Sequence, residues 1–382
     1  MPFEFNEEQE LFRHSIRGFV KKEIIPRARE IGKQEEIPRD LWRKICGLGI
    51  MGIQMPEQYG GQSGDSTMLG IAAEEIGKAD VSLASTLVPN RGFCSLLQNA
   101  PVRVQDEWLP PIIRGERLSA LAVTEPDCGT DAAAMKTMAR KEQGHYILNG
   151  EKTSVSWGMY ADVAAVFAKT DPRAGAKGVS CFVLPLDFPG ISKSNFPDMG
   201  VTPVTRASLI LDNVRLPREY LIGQEGKGFY LIMKEFDVMR ILVALIAIGA
   251  AEASLDEAID YAKQRVAFGK PIGKFEGVSF KIAEDATLLE AARWLCYRAL
   301  WLRDQGVNHT KETAMCKWWS TKIAVEVIHD ALLIHGHIGY SAEHLIEQRL
   351  RDVIGTQLAD GSPEAMKLTL VRELLGKEFL PY

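Results

Sequence analysis

Apolar residues recur at helical spacing through the first third of the chain. After acidic Glu7 and Glu8 come Leu11, Phe12, Ile16, Phe19, Val20, Ile24 and Ile25, the stripe of an amphipathic helix. Pro38, followed by Arg39, Asp40 and Leu41, starts a second helix as proline does at a first turn. A run of turn formers at 55–61 breaks the pattern, and helices are predicted over 67–77, 84–97 and 104–113. From about Leu118 the period shifts toward two. Strands are predicted at 163–168, 179–184 and 207–211, and Asn149-Gly150 inside 146–152 predicts a tight hairpin. From about Gly228 long helical runs return at 229–264, 276–305, 311–336 and 363–375, enough for a bundle. The order is α, then β, then α, without the βαβ alternation of a nucleotide-binding sheet. The glycines of 223–228 lack a strand-loop-helix context, so that loop reads as a hinge.

Composition narrows the function classes. The chain has 382 residues, 45 basic and 50 acidic, for a net charge of −5. That length suggests two or three domains, and a mildly acidic chain is a poor nucleic-acid binder. No apolar run reaches the roughly 18 residues of a membrane span; the longest, 241–251, reads as buried helix. The N-terminus is acidic and amphipathic with no signal core, so a soluble, cytoplasmic protein without membrane attachment is expected. Six scattered cysteines with no CxxC pair predict buried free thiols and no metal site.

The densest chemistry lies at 122–131, Ala-Val-Thr-Glu-Pro-Asp-Cys-Gly-Thr-Asp, a run of small and hydrogen-bonding residues after a strand. It resembles the flavin-binding signature of the acyl-CoA dehydrogenase family. Leu148-Asn149-Gly150-Glu151-Lys152, the 221–229 segment, Arg265-Val266-Ala267-Phe268-Gly269, His335-Gly336-His337-Ile338-Gly339-Tyr340 and Arg351-Asp352 are similar to further family motifs in the same order. The resemblance covers essentially the whole chain. It implies an α+β fold of three domains: 1–118 helical, 119–228 a β-barrel, 229–382 a C-terminal four-helix bundle. It also implies bound FAD, an acyl-CoA substrate, a homotetramer arranged as a dimer of dimers, and electron-transferring flavoprotein as redox partner.

In that chemistry a base removes the α-proton of a thioester while flavin N5 accepts hydride from Cβ. The resemblance implies that Leu121, Val123, Thr124, Gly129 and Thr130 line the flavin, with Thr130 also touching CoA. Ser154 and Ser156 belong to the strand behind the ring. Arg265, Phe268, Phe275, Leu333, His335, Gly336, His337, Ser362 and Glu364 complete the cofactor set, Arg265 and Phe268 reaching a neighbouring subunit's FAD. Asp237, Arg240 and Gly361 would hold substrate, and Thr170 is similarly placed.

Departures from the family pattern carry the specificity argument. Where the family commonly has Tyr-Glu-Gly-Thr with a glutamate base, this chain has Ala359-Asp360-Gly361-Ser362. The alternative base position, before Arg240, is Met239. Asp360 is thus the candidate base, and its shorter side chain favours a branched or alicyclic acyl group, such as cyclohexanecarboxyl. Asp360 also reads as a helix N-cap before Pro363. Arg91, on the stretch lining the family's acyl pocket, is a candidate for a substrate carboxylate or a solvent-facing cation. His335 and His337 stand in a degraded glycine turn, where histidine can hydrogen-bond phosphate; Glu276 and Cys128 also replace usual residues. The C-terminal part further resembles the crotonobetainyl-CoA reductase type, so a reductase is an alternative, as is a non-catalytic flavin- or CoA-binding member.

Overall fold

A computed structural model describes residues 4–62, 64–195 and 197–381; Met1–Phe3 of the acidic N-terminus lie outside the described residues. Helices α1 (Glu7–Phe19), α2 (Ala28–Ile31), α3 (Arg39–Gly47), α4 (Ser66–Gly77), α5 (Val81–Leu97) and α6 (Val102–Ile113) form the first layer. Asn6 caps α1 in a reciprocal capping box with Gln9, and Asp65 and Asp80 cap α4 and α5.

Strands follow: β1 (Ser119–Ala122), β2 (Met138–Glu142), β3 (His145–Val155), β4 (Val163–Lys169), β5 (Val179–Pro185), β6 (Ile191–Asn195), β7 (Ala207–Pro217) and β8 (Leu221–Ile222). They make one eight-stranded, mostly antiparallel sheet in the order β6-β7-β3-β2-β4-β5-β8, with β1 parallel to β4. The predicted hairpin at Asn149-Gly150 is corrected. These residues lie inside β3, at a bulge opposite β7, where Asn149 accepts from the backbone of left-handed Asn213. The β2–β3 turn instead falls at Gly144, whose φ is +78°. A side chain at Gly150 would lie 2.5 Å from Thr137 Oγ1, so that glycine serves close packing rather than a turn.

The C-terminal part holds α7 (Gly228–Gln264), a short hairpin of β9 (Val266–Ala267) and β10 (Lys270–Pro271), and α8 (Glu276–Asp304). After these come α9 (Thr310–Met315), a π-turn (Cys316–Ser320), α10 (Thr321–His335), α11 (His337–Tyr340), α12 (Leu345–Leu358) and α13 (Pro363–Leu375). The expected run at 311–336 is therefore interrupted by the π-turn, and α12 is a helix that the sequence reading did not anticipate. By length and composition α7 is apolar enough to span a membrane, but 83% of its most apolar window is buried inside the fold. It is the core helix. All six cysteines are buried and free, and no metal-binding group of His, Cys, Asp and Glu occurs among the described residues.

One cap carries a stability prediction. Asp80 Oδ1 accepts from Leu83 N at 2.8 Å, while Oδ2 is buried without a partner among the described residues. Burial pushes its carboxyl up to about 7. The folded state therefore binds a proton that the unfolded chain releases above about pH 4, and stability falls as pH rises from 4 to 7. Asparagine caps as well as aspartate. Asp80→Asn is expected to match the parent's melting temperature at about pH 4 and exceed it by several degrees at about pH 8, read by thermal denaturation at both.

Candidate active site

Helix α12 ends at Leu358, and the turn before α13 carries Asp360 and Gly361 at φ +55° and +120°. Left-handed backbone is uncommon for non-glycine residues, though aspartate and asparagine tolerate it best. The turn is held from two sides. Arg240 Nε of α7 donates to the Asp360 carbonyl at 2.8 Å, and Lys317 Nζ donates to the carbonyls of Gln357 and Gly361 at 3.2 and 3.1 Å. A side chain at Gly361 would lie 2.7 Å from Met366 Cε. Ser362, not Asp360, caps α13: its hydroxyl accepts from Ala365 N at 3.3 Å. The cap reading of Asp360 is thereby corrected. Its carboxylate makes no hydrogen bond among the described residues. Burial pushes its proton affinity up, and Lys317 and Arg240 offset part of that.

The wall beside this turn is formed by α5 and α7. A side chain at Gly92 would lie 3.1 Å from Met239 Sδ and 3.2 Å from Leu121 Cδ1. Arg91 fits neither of its expectations. It is 3% exposed and donates to Glu235 Oε2 at 2.5 Å and to Gln54 Oε1 at 3.1 Å, so it is not in solvent and the carboxylate it meets is Glu235, while its Nε is buried without a partner among the described residues. Ser95 Oγ donates to the other Glu235 oxygen at 2.7 Å. Asn90 Oδ1 accepts from Ser119 N and Oγ, tying α5 to β1. Asp237 accepts from Thr310 Oγ1 at 2.8 Å and lies 3.5 Å from Arg240. Thr170, half-buried in the sheet domain, has its hydroxyl against Ser180 and the Gly178 carbonyl.

The loop after β1 is anchored from beneath. Lys152, 0% exposed, donates to Glu125 Oε1 at 2.7 Å and to the Val123 carbonyl at 3.0 Å. Glu125 also accepts from Lys136 N and Thr137 N, at 2.5 and 2.9 Å. Burial raises the Glu125 carboxyl, but Lys152 and these amides outweigh it and leave it below its usual range; burial lowers Lys152. Thr153 N donates to the Thr124 carbonyl at 2.9 Å, bringing β3 and the loop together. Along this edge the hydroxyls of Thr124, Thr130, Ser154 and Ser156 bond no other group among the described residues. Leu121 is half-buried, Val123 buried, Gly129 and Thr130 exposed. Cys128 is held against the Asp131 carbonyl at 2.8 Å, and burial pushes its thiol up, against any redox role.

A second group gathers elsewhere. Arg265, His335, Gly336 and His337 line one cavity of about 250 Å³ with Tyr261, Ile272, Ile334 and Ile338. His335 is buried, stacked on Tyr261 at 4.5 Å, with Nδ1 2.8 Å from the Ala331 carbonyl. The Arg265 guanidinium is exposed and has no partner among the described residues. Phe268, at φ +49° on the β9–β10 turn, is 96% exposed and touches Phe275 edge-on at 6.1 Å. Leu333, Glu276 and Glu364 are exposed. A larger cavity of about 500 Å³, lined by Trp108, Asp162, Lys193 and Tyr220 among others, holds none of these residues.

Three family profiles match the chain end to end: acyl-CoA dehydrogenase, N-terminal domain at 6–116, middle domain at 120–214 and C-terminal domain at 226–375. The chain belongs to the acyl-CoA dehydrogenase family. An acyl-CoA dehydrogenase of Bacillus subtilis is 38% identical over 97% of this chain and 98% of its own. The caffeyl-CoA reductase–Etf complex subunit CarC of Acetobacterium woodii is 36% identical over 98% of this chain and 100% of its own. The solved butyryl-CoA dehydrogenase of Megasphaera elsdenii superimposes with a TM-score of 0.94 at 34% identity, covering 98% of this chain and 100% of that one.

This acyl-CoA dehydrogenase is an FAD-dependent oxidoreductase acting on CH–CH bonds. Its residues suit the cofactor. The four unengaged hydroxyls offer donors and acceptors to a flat polar ring, and the Arg265–His335–His337 cavity offers cationic and ring-nitrogen donors to phosphate. What the sequence reading missed are the supports: Lys317, Glu235 and the Glu125–Lys152 pair. The signal for Lys317 was a lone lysine in Ala314-Met315-Cys316-Lys317-Trp318-Trp319, where an apolar residue would be routine.

Proposed function

We propose that this enzyme desaturates a compact acyl-CoA thioester between Cα and Cβ, with Asp360 as the α-proton base. The observation that supports this most directly is the Asp360 turn: a half-buried carboxylate with no hydrogen bond among the described residues, its backbone fixed by Arg240 and Lys317. Bound FAD supplies the hydride acceptor. Leu121, Val123, Thr124, Gly129, Thr130, Ser154 and Ser156 would bind it on this chain, while Arg265, Phe268, Phe275, Leu333, His335, Gly336, His337, Ser362 and Glu364 complete the set. Thr130, Asp237, Arg240 and Gly361 would hold substrate. The exposed Phe268 and unpaired Arg265 support a homotetramer in which they reach a neighbouring subunit. Bacterial relatives support a cytoplasmic setting, and the Acetobacterium relative's name supports electron exchange with an electron-transferring flavoprotein. That name also favours a second reading, enoyl-CoA reduction at the same site.

The acyl group is proposed to be alicyclic or branched, cyclohexanecarboxyl-like. An aspartate ends about one C–C bond (about 1.5 Å) short of a glutamate, and bulk at Cα closes that gap. The buried Arg91–Glu235 pair adds a second argument. It cross-links α5 and α7 one turn from Met239, and spreading these helices for a long chain would break it. Replacing both with methionine is expected to raise the kcat/KM ratio of octanoyl-CoA to cyclohexanecarboxyl-CoA by about tenfold or more, a pocket-sized discrimination.

The visible spectrum of the purified protein, recorded anaerobically with cyclohexanecarboxyl-CoA and with butyryl-CoA, tests the reading. Faster bleaching of the yellow flavin by the cyclic thioester supports it. Faster bleaching by butyryl-CoA rejects the alicyclic assignment. A protein that stays colourless after added FAD would be the non-catalytic relative.

A further inference from the structure

Lys152 and Lys317 are both 0% exposed. Lys152 meets a carboxylate. Lys317 meets none among the described residues: its hydrogen bonds go to two main-chain carbonyls, Gln357 O and Gly361 O. A buried ammonium without a bonded counter-ion is unfavourable, and burial brings Lys317 down to about 8. The fold sustains it at a particular place. The π-turn Cys316–Ser320 between α9 and α10 presents it, and such turns are enriched at functional sites. Its two acceptors lie three residues before and one residue after Asp360. The charged groups facing it are Asp360 from the turn and Arg240 from α7; Asp237 and Arg372 flank Arg240 in turn.

We propose that Lys317 is a positioning residue for α-proton abstraction: its ammonium, bonded to the Gln357 and Gly361 carbonyls, holds the Asp360 turn in its left-handed shape and sets a positive charge near the Asp360 carboxylate. This rests on Asp360 being the base. Arg240 grips the same turn through the Asp360 carbonyl, so removing Lys317 leaves one of two cationic anchors. The carboxylate then drifts and loses a counter-charge at once. A displacement of about 1 Å costs on the order of a hundredfold in rate. Loss of a neighbouring positive charge raises a carboxyl's proton affinity, moving the acid limb of the rate profile to higher pH.

The test uses the FAD-loaded enzyme and whichever of cyclohexanecarboxyl-CoA and butyryl-CoA bleaches it faster. Lys317→Met should keep flavin content and KM, lower the bleaching rate about tenfold to a hundredfold, and shift its acid midpoint upward. Amide hydrogen exchange across 357–362, measured without substrate, should accelerate about tenfold. In Lys317→Ala, added methylammonium should restore part of the rate. Unchanged rate, midpoint and exchange would overturn the proposal, as would loss of FAD in both variants, which would make Lys317 structural. Asp360→Asn, run in parallel, separates the two readings. If it bleaches normally, the base assignment itself fails. If it is inert while Lys317→Met is unaffected, only the positioning role fails.

Discussion

Asp360→Asn is expected to lower flavin reduction by thioester about 10²- to 10⁴-fold, the range for loss of a positioned general base. Folding and FAD content should be unchanged. Three structural facts make this substitution a clean one. The turn places residue 360 at φ +55°, which asparagine adopts as readily as aspartate. The cap of α13 belongs to Ser362, so no helix end is lost. The contacts holding the turn run to the carbonyls of Asp360 and Gly361, not to the side chain. Removing a carboxylate whose proton affinity is raised by burial also relieves desolvation, so the variant should melt no lower than the parent at pH 8. The parent should show rates that rise with pH through a midpoint above the ordinary aspartate range, because the base must be ionised. Asp360→Glu extends the reach and should shift preference toward butyryl-CoA. Full activity in the asparagine variant, with or without a change in melting, would remove Asp360 from the chemistry.

Lys152→Met should destabilise the enzyme by about 3–5 kcal/mol, the effect of stranding one member of a buried ion pair. Glu125 would keep its two amide donors from Lys136 and Thr137 but lose its only ammonium. The Val123 carbonyl would lose its donor as well, on the strand end that leads into Thr124. Weak flavin retention should therefore accompany the lost stability. Adding Glu125→Leu should recover only part of the stability, since it removes the stranded charge but leaves the Lys136 and Thr137 amides without their acceptor. It should not recover flavin affinity, because the loop beneath Thr124 would have lost its anchors. Urea midpoints and the FAD-to-protein absorbance ratio of the three variants measure both effects. A double variant that binds FAD normally would show that the pair serves folding alone.

The architecture was legible because each domain repeats its own periodicity many times. The stripe of α1 read correctly from its period, while β4, β5 and α7 read correctly as unbroken apolar runs of strand and helix length. Local chemistry misled where a tertiary neighbour changed its meaning. Asn149-Gly150 carries the dipeptide of a tight hairpin, yet Asn213 and Thr137 press on it from adjacent strands and make it a bulge. Helix α12 went unread because its buried face is largely polar: Gln348, Arg349 and Asp352 stand beside Ile346 and Val353. Among candidate site residues, Arg265, His335, Gly336 and His337, from two distant motifs, line one cavity. Arg91 did not, because its partner Glu235 lies 144 positions away.

By itself the sequence determined the order of α, β and α domains, and its resemblance to the acyl-CoA dehydrogenase family implied the flavin cofactor and set Asp360 where the family commonly has glutamate. The domain order follows from residue type and short-range spacing, which the chain states directly. The tertiary structure alone decided which of Asp360 and Ser362 caps α13, whether Arg91 is free, and which buried cations brace the turn and the flavin loop. Those are questions of which charges share a low-dielectric interior. Such a charge is stable only with partners, and here the partners come from distant elements whose meeting no local pattern records.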